Sequence, residues 1–214
     1  MSHTMAALSA ALPLASGWSV HSLWMRRRIA AARRDPLTGL LTRDGFTEAA
    51  QRRLTHRPRA VCLIDLNKFK QINDTYGHAA GDAVIRAVGK RLSDWALNNS
   101  AVVGRLGGDE FAAVAPAYSE NQLAETLSSL TAGLEQPVDV GGHSLTISAA
   151  IGLVCFNART NQADLSELLR VADEQMYRAK RGGTPWMKAL DYAPERATVN
   201  GRRAGRQGAG EVAA

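Results

Sequence analysis

The segment that most constrains the fold reads RLGGDEF and begins at Arg105, between two short apolar runs. Its glycines, Gly107 and Gly108, adopt the positive φ angles of a tight turn between antiparallel strands without steric cost. The pattern therefore predicts a β-hairpin that carries two consecutive carboxylates, Asp109 and Glu110, at its tip. The bare glycine backbone would let a phosphate group approach, and the carboxylates suit a divalent metal. A solvated turn whose acids face water is the simpler alternative unless other residues converge on it.

The overall composition is that of a globular protein with one domain of ordinary size. The chain has 214 residues, of which 45% are hydrophobic, enough to build a core. Its formal charge of +6 would suit a nucleic-acid partner. However, much of the basic excess lies near the two ends, at Arg26, Arg27, Arg28, Arg33, Arg34, Arg196, Arg202, Arg203 and Arg206. These basic stretches lack interleaved aromatic residues, and the sequence shows no helix-turn-helix or zinc pattern, so we predict no specific nucleic-acid partner.

The cysteine content indicates neither a disulfide framework nor a zinc site. Cys62 and Cys155 both lie in apolar, strand-like runs and have no metal-ligand spacing around them. Buried free thiols in a reducing compartment are the interpretation that this usage favours.

The first 25 residues contain no Lys, Arg, Asp or Glu, and three arginines follow directly. Residues 5–25 have the length of a membrane anchor, and the arginines behind them would keep the following domain in the cytoplasm. Pro13, Gly17 and several serines speak against a spanning helix, so a soluble or interfacial helix or a disordered leader is the alternative. Residues 26–34 predict a basic linker helix, and residues 191–214, rich in Gly, Ala and Arg, predict a flexible tail.

Helical and strand patterns alternate through the middle of the chain. Helices are predicted at about residues 45–54, with Asp44 as the cap, and at 79–98, 119–134 and 164–180. Strands are predicted at residues 59–66 and 145–154, in addition to the hairpin. We therefore expect an α/β fold, an α+β sandwich of the ferredoxin-like type with a sheet of about five strands and flanking helices.

Asp65 lies at the exit of the buried strand 59–66, a rigid position that opens onto solvent. If this strand lies beside the hairpin, Asp65 meets Asp109 and Glu110 at one edge of the sheet. Two or three carboxylates from separate segments form the hard oxygen set that magnesium prefers. The sequence thus predicts a metal site.

The segment after Asp65 is unusually dense in polar residues. Asn73, His78 and Asp82 offer the mixed donor and acceptor edge that a purine base requires, and Lys70 offers a charge for phosphate. Taken singly, each of them also fits ordinary helix capping or a surface position.

Together these segments resemble the GGDEF-domain diguanylate cyclase family. The shared segments, in chain order, are DPLTGL from Asp35, Asp65 with Phe69 and Lys70, NDTYGH from Asn73 with Gly81 and Asp82, GGDEF from Gly107, and ADEQMYRAK from Ala172. A single motif often matches by chance, but five motifs in the same order do not. The resemblance spans residues 35–190. It implies a sheet similar to those of nucleotidyl cyclases and polymerase palms. It also implies an enzyme that condenses two GTP molecules into cyclic di-GMP.

The resemblance also implies roles for individual residues at the metal. Magnesium or manganese would be held by Asp65, the carbonyl of Leu66, Asp109 and Glu110. Asp109 would act as the base, with Glu110 as the second catalytic carboxylate. Family members each hold one GTP, so turnover would require a homodimer.

The nucleotide-binding set implied by the resemblance divides by chemical group. Asn73, His78 and Asp82 would contact the guanine and its nucleoside. The triphosphate would meet Phe69, Lys70, Lys180, Gly107 and Gly108. A catalytically silent GGDEF-like nucleotide-binding signalling module is the alternative, although such a protein has no chemical need for all three acids.

The sequence departs from the family pattern in two places. Residues 98–101 lack the Arg-x-x-Asp product-inhibition motif, and Arg91 and Asp94, which have the right letters, are interpreted as a solvated helix face. Thr184 stands where the family often places a phosphate-binding arginine. A hydroxyl does not replace a guanidinium, so we expect weaker GTP binding unless Arg181 reaches the phosphate.

Overall fold

The structure, a computed structural model, describes residues 18, 21, 22, 24, 25, 32–54, 57–158 and 164–189. The predicted tail, most of the candidate anchor and most of the basic linker helix therefore lie outside the described residues. Within the described ranges, no helix is both long enough and apolar enough to cross a bilayer.

Helices and strands alternate along the described chain. The helices are α1 (Arg43–Arg53), α2 (Phe69–Tyr76), α3 (His78–Asn98), α4 (Glu120–Leu134) and α5 (Leu165–Gly182). The strands are β1 (Arg59–Leu66), β2 (Val102–Gly107), β3 (Glu110–Pro116), β4 (Val138–Val140), β5 (His143–Leu145), β6 (Ala149–Phe156) and β7 (Trp186–Lys188).

The described residues form a five-stranded sheet in the order β2-β3-β1-β6-β7, which confirms the predicted fold class. All pairs are antiparallel except β6 with β7, which is parallel. Successive residues of the central strand β1 point to opposite faces. Cys62 and Ile64 pack with α3 and α4, whereas Val61 and Leu63 pack with α1 and α5. Helices thus cover both faces of the sheet, and polar side chains can reach solvent at the ends of its strands.

The helix termini follow from local capping chemistry. α1 begins earlier than predicted because the hydroxyl of Thr42 accepts a hydrogen bond from the Gly45 amide at 3.4 Å; the expectation that Asp44 would cap this helix is wrong. At the far end of α5, Gly183 forms the C-cap with a left-handed φ of 66°, which glycine adopts without steric cost.

Several elements differ from the sequence-based expectation. The predicted strand 145–154 is instead β6 at Ala149–Phe156, and His143–Leu145 pairs with Val138–Val140 in a separate two-stranded sheet. Residues 146–148 lie between the two strands, and the Ser148 carbonyl accepts a hydrogen bond from the Asn67 amide at 2.9 Å, just before β6 begins. Helix α2 and strand β7 were not predicted, since both are too short to show a clear period.

The expected solvated face at Arg91 is also wrong. Its guanidinium donates to the carbonyls of Leu134 at 3.0 Å and Pro137 at 2.8 Å, so it satisfies the C-terminal end of α4 and the start of the β4–β5 hairpin. Asp94 does lie on the exposed side, where it pairs with Lys90 at 2.7 Å.

Both cysteines are free, as predicted. Cys62 is fully buried, and burial raises the pKa of its thiol to about 12. Cys155 is partly buried, and burial raises its pKa as well. Neither residue has the thiolate character of a reactive cysteine at neutral pH.

Candidate active site

The centre of the candidate site is the carboxylate of Asp65, near the end of β1. Strand pairing places Asp65 directly opposite Glu110 of β3. Residues directly opposite in an antiparallel pair have their side chains on the same face. That face is the one covered by α5, from which Lys180 reaches Asp65 with an Nζ to Oδ1 distance of 2.6 Å. The predicted neighbourhood of Asp65 and the hairpin is therefore present, and Lys180 belongs to it.

Asp109 lies in the turn itself, where its carbonyl accepts a hydrogen bond from the Leu66 amide at 3.3 Å. The turn backbone and the end of β1 are thus joined directly. Within the described residues, no three His, Cys, Asp or Glu side chains are gathered as a ready-made metal cluster. The donor chemistry nevertheless fits a hard cation, because Asp65 and Glu110 share one face and Asp109 adjoins them. The ligand set of Asp65, Leu66, Asp109 and Glu110 stays a prediction.

The glycine turn adopts the backbone conformation expected of it. The φ angles are 151° at Gly107 and 51° at Gly108, both in a region that side chains rarely allow. Arg105 clamps this turn, since its Nε and one terminal nitrogen donate to the Gly108 carbonyl at 3.0 and 2.8 Å.

The other end of the Arg105 guanidinium is bound to Asp35. Its Nη1 lies 3.1 Å from both carboxylate oxygens of that residue. Asp35 also accepts from the amide of Thr38 at 2.9 Å and from its hydroxyl at 2.7 Å. Burial alone would raise the pKa of Asp35, but the hydrogen bonds from Thr38 and Arg105 outweigh it and lower that pKa. A network of two largely buried charged groups therefore holds the turn in place.

Neither Asp35 nor Arg105 was among the predicted site residues. The available signal was their position, since Asp35 opens the DPLTGL segment and Arg105 opens RLGGDEF. They are 70 residues apart in the chain, and local patterns do not predict such a contact.

The predicted base-binding residues lie around the junction of α2 and α3. Gly77, with a φ of 82°, separates the two helices, and His78 is the first residue of α3. The side chain of Asn73 lies against Gly81, where an added Cβ would be 1.9 Å from Asn73 Oδ1. Asp82 follows directly and is exposed. The fold thus brings Asn73 to the Gly81 and Asp82 turn of α3, while His78 is exposed and its role remains a prediction.

The predicted phosphate-binding residues come from α2, from α5 and from the glycine turn described above. Phe69 packs partly against the core at the start of α2, and Lys70 beside it is exposed. Lys180 belongs to α5. Arg181, the suggested substitute for the missing arginine, instead places its guanidinium over the Tyr177 ring at 5.7 Å.

Comparison with known proteins identifies the class to which this fold and site belong. Residues 32–185 match the family described as diguanylate cyclase, GGDEF domain. The chain belongs to the GGDEF domain family. This membership confirms the resemblance drawn from the motifs.

Two relatives and one solved structure illustrate the similarity. The chain is 45% identical to an uncharacterized 19.3 kDa protein in the repSA 5' region of Streptomyces ambofaciens, over 81% of this chain and 94% of that protein. It is 36% identical to the diguanylate cyclase DosC of Escherichia coli, over 70% of this chain but only 33% of DosC. The coiled coil and GGDEF domain of DgcB from Caulobacter crescentus, solved in complex with cyclic di-GMP, superposes with a TM-score of 0.68 at 25% identity, covering 85% of this chain and 99% of that one.

The match spans 33% of the length of DosC, 36% of the diguanylate cyclase DgcN of Escherichia coli and 22% of the diguanylate cyclase DgcP of Pseudomonas aeruginosa. Diguanylate cyclases of this family depend on a metal in general.

Proposed function

We propose that this protein is a diguanylate cyclase that condenses two GTP molecules into cyclic di-GMP and two pyrophosphates. The observation that carries the proposal is the cross-strand pairing of Asp65 with Glu110 beside the turn that holds Asp109. This arrangement gathers carboxylates where a phosphate-bound cation would sit, in a chain related to named diguanylate cyclases.

The proposed reaction is two in-line phosphoryl transfers. The 3′-hydroxyl oxygen of one GTP forms a bond to the α-phosphorus of the other, and the bond from that phosphorus to pyrophosphate breaks. Asp109 takes the hydroxyl proton. Lys180 balances the negative charge of the triphosphate, and the clamped turn fixes the carboxylates relative to it. When bound, magnesium or manganese at Asp65, the Leu66 carbonyl, Asp109 and Glu110 would polarise the phosphoryl oxygens.

Turnover in this proposal requires two copies of the chain. Each copy presents one GTP from its own α2–α3 junction and turn, so that the two reactive ends face each other across a two-fold axis. The specific activity should therefore rise with protein concentration until the dimer is fully formed.

Incubation of the purified full chain with GTP and Mg²⁺, followed by chromatographic detection of cyclic di-GMP, tests the function. Product from the wild type and none from Asp109→Ala supports the proposal. GTP binding without product in either protein would favour a silent nucleotide-binding module instead, and salt-sensitive DNA binding would favour a nucleic-acid role.

We further propose that the catalytic domain works in the cytoplasm, because GTP is its expected substrate. The apolar residues 5–25 are the candidate attachment to the membrane, supported by their composition alone. Fractionation of cells that express the full chain distinguishes membrane attachment from a free protein.

A further inference from the structure

An aromatic contact connects the β4–β5 hairpin to the end of α2. The rings of Tyr76 and His143 have centroids 5.5 Å apart and planes tilted by 48°. Tyr76 is the last residue of α2, and His143 is the first residue of β5. Both side chains are exposed, so the contact lies on the surface rather than in the core. It therefore connects the β4–β5 hairpin to the α2–α3 junction.

Helix α2 has few stabilising interactions within the helix itself. It has eight residues, all described, and none of them is fully buried. Its N-cap, Lys68, has a left-handed φ of 59° and makes no side-chain capping bond. A helix this short is marginal without tertiary contacts. Phe69 and Ile72 supply such contacts toward the core, and both lie before the last turn of the helix.

The β4–β5 hairpin, in contrast, is firmly anchored at its base. Val138 is buried in the main core, and Arg91 binds the carbonyl of Pro137 at 2.8 Å. At its turn, the Gly142 amide donates to the Asp139 carboxylate at 3.2 Å. The hairpin is thus an anchored support from which His143 meets the exposed end of a short helix.

Asn73 is the residue that this support affects. It lies one helical turn before Tyr76, and its carbonyl accepts a hydrogen bond from the Gly77 amide at 2.9 Å. Its amide side chain lies against Gly81 of the next helix. A shift of the Tyr76 end of α2 would therefore move Asn73 relative to Gly81 and Asp82.

We propose that His143 is a positioning residue for the nucleotide base, which acts through Tyr76 to fix the end of α2 and the Asn73 side chain. The proposal rests on the proposed function, in which this junction binds guanine. His143 need not touch the base, and its contribution is to GTP binding rather than to the chemical step. An aromatic pair of this kind changes an equilibrium constant about three- to tenfold.

The test compares three variants of the full-length protein. His143→Ala removes the ring and should raise the KM for GTP about three- to tenfold, with kcat within about twofold of the wild type. His143→Phe keeps an aromatic ring and should restore the KM. Ser144→Ala, at the neighbouring exposed position of β5, is the matched control and should change neither constant.

A double-mutant cycle with Tyr76→Ala isolates the contact. If His143 acts through Tyr76, His143→Ala has no further effect on KM once Tyr76 is replaced. Equal KM values for wild type and His143→Ala, or a loss confined to kcat, would overturn the inference.

Calorimetric titration with GTP separates this inference from the proposed function. A wild type that binds GTP but forms no cyclic di-GMP contradicts the cyclase, while weaker GTP binding by His143→Ala still supports the positioning role. A wild type that makes cyclic di-GMP, with unchanged GTP affinity in His143→Ala, contradicts the positioning role alone.

Discussion

The glycine turn and helix α2 both adjoin the carboxyl end of β1, yet they are held in different ways. The turn joins β2 to β3, in which Phe111 and Ala112 are fully buried, and Arg105 ties it to Asp35. Helix α2 buries none of its eight residues fully. The proposed chemistry thus depends on a rigid strand pair, whereas the proposed base recognition depends on a short helix supported from outside.

Loss of a strand carboxylate should have the largest effect. Asp65→Asn keeps the shape of the side chain but removes the charge beside Glu110 and Lys180, so we expect kcat to fall about 100-fold or more. Asp94→Asn, an exposed change on α3, is the matched control and should leave kcat unchanged. Cyclic di-GMP formation and the circular dichroism spectrum measure activity and folding. A folded Asp65→Asn protein with near wild-type kcat would contradict a role for this strand end in chemistry.

Breaking the clamp should affect the turn next. Arg105→Ala leaves the Asp35 carboxylate largely buried without its partner, so we expect unfolding free energy to fall by about 1–3 kcal/mol and kcat to fall about 10- to 100-fold as the carboxylates move. Arg105→Lys keeps the charge but lacks the planar fork, and it should recover only part of both losses. Urea denaturation and steady-state kinetics measure the two effects. Destabilisation without a change in kcat would mean that the clamp supports the fold alone.

The same contrast explains what the sequence could predict. The hairpin and the strand exit at Asp65 follow from local patterns of glycines, apolar runs and acids, and the structure confirms both. The clamp joins residues 70 positions apart, and only the completed sheet brings them together. Helix α2, strand β7 and the β4–β5 hairpin are short elements whose existence depends on their packing partners, and a periodicity argument does not detect them. Arg91 was misinterpreted for a related reason, because the carbonyls that it binds belong to the distant residues Leu134 and Pro137.

A change at the helix junction should have a smaller effect, confined to binding. In Gly81→Ala the new Cβ would be 1.9 Å from Asn73 Oδ1, so the amide must move away. We expect the KM for GTP to rise about three- to tenfold with kcat nearly unchanged. Gly133→Ala in α4 meets no atom within 4 Å and serves as the control, with unchanged kinetics and equal or higher stability. An unaltered KM in Gly81→Ala would show that Asn73 does not contribute to nucleotide binding.

The smallest expected effect separates an acid that supports the turn from one that only caps a helix. Asp35 and Asp164 both have a lowered pKa, Asp35 because hydrogen bonds outweigh burial and Asp164 mainly through its bonds from Ser166 and Glu167. A lowered carboxyl pKa contributes stability that is present above the ordinary value of 3.8 and is lost as pH falls through the lowered one. Asp35→Asn and Asp164→Asn should therefore both flatten the loss of unfolding free energy below about pH 4, measured by urea denaturation. At neutral pH only Asp35→Asn should also lower kcat, because Arg105 then loses its ionic partner and holds the turn less firmly. If Asp164→Asn lowered kcat equally, the overall stability of the domain, and not the contact of Arg105 with Asp35, would determine how firmly the turn is held.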